Sequence, residues 1–518
     1  MNYTDLFRAT LPETALEIAA LVVLIVDLGL LRKAALKTRV AVAALLGVAG
    51  CGAASWAILS ASAGSLSANG DVLLSAGGSA SVAQAGILVL TAITLLLLID
   101  SVFTRHAGEY VAVVLMAAAG GLLIAAAQDL LVIFVGLELL SLGLYILTAF
   151  AKSSGKSAEA AMKYYLFGGM SAAFLLFGFS YLYGLSGSTN LNKVVYGTYV
   201  SAAHGGTPLL MVAIVMIAAG LGFKVAAVPF HLWAPDTYEG APAPAAAFIA
   251  SVSKVASFAL LIAISATVLH FLESLHTTAV MVGFVVQAGT PPPTPHVVHG
   301  FRSAWPLTLM LLSVGSMVLG NLAALAQSSV RRLLAYSAIA HAGYILLGLA
   351  FFSHSNASAK AILYYILTYG LTTIGAFGAV SVVERASGSD RMDAFLGLHK
   401  RNPLLAAVML VLFLSLAGIP PFVGFWAKFN LFAAVLGVSA GPIPFALVAL
   451  AVAMSAVSLY YYLQVLKRAY VMPAVDDSPI KAHPVTLIVL LGIAAAVLIL
   501  GCFPALLQGW IAGFYPQM

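Results

Sequence analysis

Four charged residues stand where an apolar chain has no evident use for charge: Glu138, Lys224, Lys254 and Lys428 each fall inside a long hydrophobic run. Placing an ionised side chain in hydrocarbon costs roughly 2.5–3.5 kcal/mol even on the mild insertion scale, so such residues by default mark an ion or proton path. The chemistry open to them is proton exchange. Burial favours the neutral form of an ammonium or a carboxyl, and a nearby opposite charge restores the ionised form. Groups that interact strongly titrate together, and charging one disfavours charging a like neighbour. A row of such groups, each within one or two waters of the next, passes a charge change along as alternating protonation.

Their surroundings sharpen the reading. Glu138 lies between Gly136-Leu and Leu139-Leu140, too far from either end of its run to snorkel. It either handles protons or makes a static contact between helices. Lys224 sits beside the interruption at Pro229, and Lys428 follows Gly418, Pro420, Pro421 and Gly424, residues that should break their helix. Lys254 shares a polar stripe with Ser251, Ser253 and Ser257. It could serve as a relay or as one interhelical hydrogen bond. Three residues are auxiliary candidates. Lys163, about five residues into its run, could join the relay or snorkel to the interface. His341, with Tyr336 and Tyr344 near, and His231, beside the Pro229 break, titrate near neutral pH but could equally be core histidines. Asp27 and Asp100 lie toward the ends of runs and read as interfacial.

The elements that must hold these groups are membrane helices. Sixty-two per cent of the 518 residues are apolar and 8% charged, against about a quarter charged in soluble domains, and the mean hydropathy is +1.05. Runs long enough to cross ~30 Å of hydrocarbon occur near residues 13–31, 40–62, 82–103, 110–127, 129–151, 158–185, 207–228, 242–268, 304–327, 329–352, 358–382, 403–436, 443–470 and 484–504. With both termini outside, Arg32, Lys33, Lys37, Arg39, Arg105, Lys152, Lys156, Arg331, Arg332, Arg385, Arg391, Lys400, Arg401, Lys467, Arg468 and Lys481 all fall on inner loops. Only Arg8, Lys193, Arg302 and Lys360 fall outside. That asymmetry obeys the positive-inside rule. It leaves Lys163, Lys224, Lys254 and Lys428 unexplained by topology. Asp5, Glu13 and Glu17 precede the first apolar run and the basic cluster follows it, so it reads as an uncleaved span.

Other chemistries lack their residues. The net charge of +6 reports orientation in a membrane, and no basic patch with interleaved aromatics suggests nucleic acid. Cys51 and Cys502 stand alone, without the spacing of a metal site. No dinucleotide or P-loop fingerprint is present. Redox or hydrolytic power would have to come from partners.

The chain also repeats itself. Gln128-Asp-Leu-Leu-Val-Ile-Phe-Val-Gly-Leu-Glu138, running on to Gly143-Leu-Tyr-Ile-Leu147, is echoed by Gln327-Ser-Ser-Val-Arg-Arg-Leu-Leu, running on to His341-Ala-Gly-Tyr-Ile-Leu346. Tyr164-Tyr165 and Phe177-Gly178 recur 200 residues later as Tyr364-Tyr365 and Phe377-Gly378, and Lys224 and Lys428 are 204 apart. Five spans separate equivalent helices, and an odd number reverses the direction of crossing. An all-α bundle of about 14 helices with two inverted five-helix repeats follows, its seventh and twelfth helices discontinuous. The expected divisions are helices 1–3 over residues 1–109, the first repeat over 110–268 and an external Pro-containing linker over 269–303. The second repeat spans 304–470 and the last helix lies within 471–518.

Several strings resemble a known family, the antiporter-like membrane subunits of NADH-quinone oxidoreductase (respiratory complex I), and within it the subunit N branch. They are Pro229-Phe-His-Leu-Trp-Ala-Pro-Asp-Thr-Tyr-Glu-Gly-Ala-Pro-Ala-Pro244, Ser253-Lys-Val-Ala-Ser-Phe258, the run from Gln327 to Tyr344, and lysine at position 428. The resemblance covers nearly the whole chain. It implies that Glu138, Lys224, Lys254 and Lys428 match the family's proton-channel residues, with Lys163 and His341 auxiliary. It implies no cofactor or metal on this chain, with NADH, FMN, iron-sulfur clusters and quinone handled in or near partner subunits, both membrane and peripheral. A bacterial inner membrane would be its location. The Pro-rich stretch around 288–300 departs from the family's usual length. A cation/proton antiporter, stand-alone or of the Mrp type, and the membrane arm of a related hydrogenase or dehydrogenase remain alternatives on fold alone.

Overall fold

Hydrocarbon offers a backbone no hydrogen-bond partners, so apolar runs of this length can only be helices or a closed barrel, and here they are helices. The computed structural model describes residues 3–515 except 61–65, 69–70, 102, 282–294, 354–356, 439–440 and 475–477. Helices α1 (Tyr3–Ala9), α2 (Leu11–Ile25), α3 (Leu36–Ser60) and α4 (Gly78–Leu98) form the N-terminal group. Next come α5 (Ala107–Ala126), α6 (Leu130–Thr148), α7 (Gly155–Ser186), α8 (Leu191–Ser201), α9 (Thr207–Val225), α10 (Trp233–Gly240) and α11 (Ala243–Met281). Then follow α12 (Pro295–Leu325), α13 (Val330–Ala350), α14 (Ala357–Ser387), α15 (Leu398–Arg401), α16 (Pro403–Ala417), α17 (Val423–Val438) and α18 (Pro442–Tyr470). Helices α19 (Pro484–Cys502) and α20 (Pro504–Gly513) close the chain.

Twelve of the described helices are long and apolar enough to cross a membrane. The remaining two of the fourteen expected spans are assembled from shorter pieces. Helix α2 continues through a π turn at Val26–Leu30, and α16 and α17, of 15 and 16 residues, reach only about 22–24 Å at 1.5 Å per residue. A span there needs both halves, which is the discontinuity that Gly418, Pro420 and Pro421 foretold. The π turn holds Asp27, whose carboxylate takes both Nε and NH2 of Arg39 at 2.7 Å and the Gly108 amide at 3.1 Å. This residue is 1% exposed, so it is a buried structural fork.

The sequence reading missed three features. A hairpin of β1 (Leu66–Ala68) and β2 (Asp71–Leu74) lies between α3 and α4. Helix α8 follows α7, and Asn190 at its N-cap also donates to Val72 O at 2.8 Å, while Lys193 pairs with Asp71 at 2.6 Å. Finally, the linker expected over 269–303 is shorter. Residues 270–281 contain neither Gly nor Pro, so nothing stops α11 before Met281, and α12 begins at Pro295. The rest of that stretch lies outside the described residues.

Packing repeats along the chain as the sequence does. A β-carbon on Gly120 would lie 2.6 Å from Leu140 N, and one on Gly320 would lie 2.6 Å from Ala340 N. Gly143 lies against Ala117 as Gly343 lies against Met317. Each of these four pairs of positions is 200 residues apart. Asp129 and Ser329 cap α6 and α13, and each bridges to the start of a later element, Asn190 and Arg391 respectively. The α5–α6 contact is therefore rebuilt by α12–α13, with glycine at the same points of closest backbone approach.

Candidate functional site

Both broken helices end the same way. In α9, Ala226 N donates to Phe223 O at 3.0 Å and Ala227 N to Gly222 O at 2.8 Å. In α16, Gly418 N donates to Ser415 O at 2.9 Å and Ile419 N to Leu414 O at 3.1 Å. These are Schellman closures, which satisfy two of the last four carbonyls of a helix and leave the final two. The residue closing each is left-handed, Ala226 at φ 57° and Gly418 at φ 86°. A side chain there costs roughly 1–2 kcal/mol, so Ala226 is strained where Gly418 is not. Glycine at 418 has a second cause: a β-carbon would come within 2.9 Å of Lys428 Cδ and 3.2 Å of its Nζ.

A buried lysine takes a left-over carbonyl at each break, both of them at the second and the last one at the first. Lys428, 6% exposed, donates to Leu416 O at 3.1 Å, Ala417 O at 2.9 Å and Ser455 Oγ at 2.8 Å. Its three protons thus meet three acceptors, two of them on the end of α16, where the helix dipole is negative. Lys254, 3% exposed, donates to Val225 O at 3.0 Å and across to Ala338 O of α13 at 2.8 Å. Val225 and Ala417 are the last residues of their half-helices. Structurally, then, Lys254 does at the first break what Lys428 does at the second.

This corrects the pairing suggested by sequence. Lys224 and Lys428 are 204 apart, yet the breaks themselves, Ala226 with Gly418 and Pro229 with Pro421, register at 192. Lys224 is in the last turn of α9, before its break, whereas Lys428 lies in α17, after its own. On the break register the counterpart of Lys428 is Asp236.

Lys224, 5% exposed, instead donates to Ser141 Oγ, which donates to Leu137 O. The Tyr145 and Phe223 rings flank its ammonium at 6.0 and 5.7 Å, distances suited to cation–π attraction. Ser141 is three residues beyond Glu138 and so on the same helix face. Glu138 makes no ion pair among the described residues, but it stands near enough to act electrostatically on Lys224.

His341, 4% exposed, completes the row. Its Nδ1 is 2.7 Å from Tyr365 OH and its Nε2 3.5 Å from Tyr462 OH. His341 lies one turn beyond Ala338, the carbonyl that Lys254 grips. Beside it a small cavity is lined by residues that include His341, Tyr365, Tyr369, Thr372, Leu416 and Gly424. It has room for roughly one water, given two to four polar partners. Leu416 is also an acceptor of Lys428. A polar row thus runs from Glu138 through Lys224, Lys254, His341 and the cavity to Lys428, on helices α6, α9, α11, α13 and α17.

Two candidates stand apart from it. His231 lies in the turn between α9 and α10, buried, with no partner for Nδ1. Lys163 reaches Glu159 and Asp236, both at 2.8 Å, rather than Glu138. Asp236 also takes Arg332 NH1 at 2.6 Å, and Arg332 takes Glu239 at 3.0 Å. Arg331, counted by sequence among loop charges, is 4% exposed. It holds Tyr238 O at 2.9 Å, Ala241 O, and Glu384 at 3.2 Å. Helix α10 is therefore pinned to α7 on one side and to α13 on the other, and Arg331 ties α13 to α14. Asp236→Ala removes two charge-assisted hydrogen bonds about a third exposed to solvent, worth about 1–2 kcal/mol after screening. Amides of α10 should then exchange about tenfold faster with deuterium in the purified protein, while those of α13 hold.

The chain's relatives agree with this architecture. The family model described as NADH:quinone oxidoreductase/Mrp antiporter, TM, matches residues 127–288 and 294–455. Among curated relatives, NADH-quinone oxidoreductase subunit N 2 of Acidobacterium capsulatum is 46% identical over 521 residues, covering 99% of each chain. The chain belongs to the NADH-quinone oxidoreductase subunit N family. Another member, subunit N 1 of Roseiflexus castenholzii, is 39% identical over 81% of this chain and 76% of the relative. Among solved structures, a chain of Thermus thermophilus respiratory complex I with bound Aureothin superposes with a TM-score of 0.74 at 31% identity, covering 96% of this chain and 98% of that one. The Mrp complex of a Dietzia species superposes at 0.77 over 97% and 96%, but at 22% identity it shows the fold alone.

Within the family frame, the residues that sequence reasoning overlooked are Ser141, Ser455, Tyr365, Tyr462 and Asp236. Two carried a signal. Ser455 lies 201 residues after Lys254, and Ser141 lies 200 before His341, near the repeat offset.

Proposed function

We propose that this chain is the proton-translocating membrane subunit of an NADH-quinone oxidoreductase, moving protons through Glu138, Lys224, Lys254, His341 and Lys428. The observation that carries this reading is Lys254, whose ammonium bonds both to the broken end of α9 and to α13, joining the two halves of the row. A buried cation shared by two units gives each a way to sense the other's charge. The full-length likeness to proteins named NADH-quinone oxidoreductase subunit N supports the redox partnership. Electron transfer from NADH, through FMN and iron-sulfur clusters to quinone, belongs to partner subunits; this chain converts its energy into proton movement.

In this reading α5–α11 and α12–α18 are inverted units, with α1–α4 and α19–α20 flanking them. Both termini face the outside of a bacterial inner membrane, and the Arg331–Arg332 end faces the cytoplasm. Asp71 and Lys193 then pair on the outer side, and Asp27 and Arg39 on the inner side. The rival is an independent cation/proton antiporter. Purifying the chain with whatever accompanies it distinguishes the two. Flavin absorbance and NADH:quinone activity in the same particle are expected. A chain isolated without them, exchanging Na⁺ for H⁺ in vesicles, would overturn the assignment.

A further inference from the structure

A cavity of about 550 Å³ opens between α14, α17 and α20, at the end of the bundle opposite the Arg331–Arg332 network. Its polar lining includes Lys360 and Tyr364 from α14, Asn430 from α17 and Gln508 from α20. Every one of these side chains can donate a hydrogen bond, and no carboxylate is among the lining residues. Lys360 has no acidic partner among the described residues, and its ammonium lies 5.2 Å from the centroid of the Tyr515 ring. Tyr364 is 1% exposed, yet its hydroxyl has no hydrogen-bond partner. That hydroxyl is enclosed by protein, so the groups left to meet an occupant are the Lys360 ammonium and the Asn430 and Gln508 amides.

The lining selects the occupant. A cavity with one cation and no anion repels a hydrated proton, which argues against a proton vestibule, and attracts an anionic acceptor. Apart from Asn430, the lining from α17 is small and apolar, with Ala433 and Gly437. Lys360 sits in the first turn of its membrane-spanning helix, the depth at which lysines snorkel to the interface and at which lipid phosphates lie. We propose that this cavity seats one phospholipid, its phosphate held by Lys360 with the Asn430 and Gln508 amides beside it and its acyl chains against the Ala433–Gly437 face. The proposal needs only the membrane placement of the helices and is independent of proton transport.

The test is the count of phospholipids retained by the chain, with its co-purifying subunits, in mild detergent, read by native mass spectrometry. Lys360→Ala removes the cation. Gly437→Leu fills the wall, where a β-carbon meets nothing within 4 Å, so the backbone tolerates it. Each variant should lose one phospholipid per chain relative to wild type, Lys360→Arg should keep it, and excess inorganic phosphate should not displace it. Equal counts in all variants would overturn the proposal. So would a loss confined to Lys360→Ala, which means loose surface attraction, or Asn430→Cys cross-linking to a neighbouring protein helix in place of lipid.

Discussion

Lys428→Arg is expected to leave the assembly intact while lowering proton translocation on the order of 10²-fold, the range over which a positioned acid–base group typically contributes. The ammonium of Lys428 meets Leu416 O, Ala417 O and Ser455 Oγ at 2.8–3.1 Å. A guanidinium can also satisfy carbonyls at a negative helix end, but it stays protonated at any working pH. Arginine therefore preserves the structural work of the position and abolishes the release of a proton. Lys428→Ala removes both. It leaves two helix-end carbonyls unpaired, at about 1–3 kcal/mol each unless water replaces the ammonium, and frees the space above Gly418. In vesicles, the two variants should both fail to acidify the lumen during NADH oxidation, while only the alanine variant should melt earlier. An arginine variant that pumps at the wild-type ratio would make Lys428 a cap and nothing more.

The sequence made the breaks legible because proline and glycine cannot continue a helix, and it made the lysines legible because ammonium groups are rare in hydrocarbon. Their partners were hidden for a physical reason. Val225, Leu416, Ala417 and Ala338 act through backbone carbonyls, which every residue carries whatever its side chain; the first three are freed where a helix ends, and Ala338 O, inside α13, accepts the ammonium as a second bond. The equivalence of Lys224 and Lys428 failed for a related reason. Helices α6 and α13 hold a register of 200, but the segments after α7 and α14 differ in length, so the breaks slip to 192. At the 200 register, Glu138 corresponds to Ala338 and Ser141 to His341. The two units are copies in backbone and complements in charge: the first carries the carboxylate and two lysines, the second a histidine and one lysine. Lys163 was ambiguous in sequence because a side chain one or two turns from an interface can face either way; Asp236, 73 residues later, decides its direction.

Lys254→Met should have the widest consequences of any single change in the row. Methionine matches the length of lysine but donates nothing, so Val225 O and Ala338 O lose their buried partner together. Val225 O, at the end of α9, is left unsatisfied at about 1–3 kcal/mol, while Ala338 O keeps its place in the α13 ladder; the loss falls at the joint between α9 and α13, and proton translocation should drop on the order of 10²-fold. Ser257→Ala is the control. It lies on the same stripe of α11, but its hydroxyl only returns to Ser253 O at 2.8 Å within the same helix, so pumping and melting should barely change. The combination Lys254→Met with Lys428→Arg then separates two mechanisms. If each unit moves its own proton, the two fluxes add: each single variant should keep about half of the pumping, and only the double variant should lose it. If the lysines are stations on one row, the first block already stops the proton, and the double variant should pump no worse than Lys254→Met alone. Non-additivity of this kind between side chains on different helices is the signature of a shared path, whereas single variants that each keep about half of the pumping would instead assign each break its own.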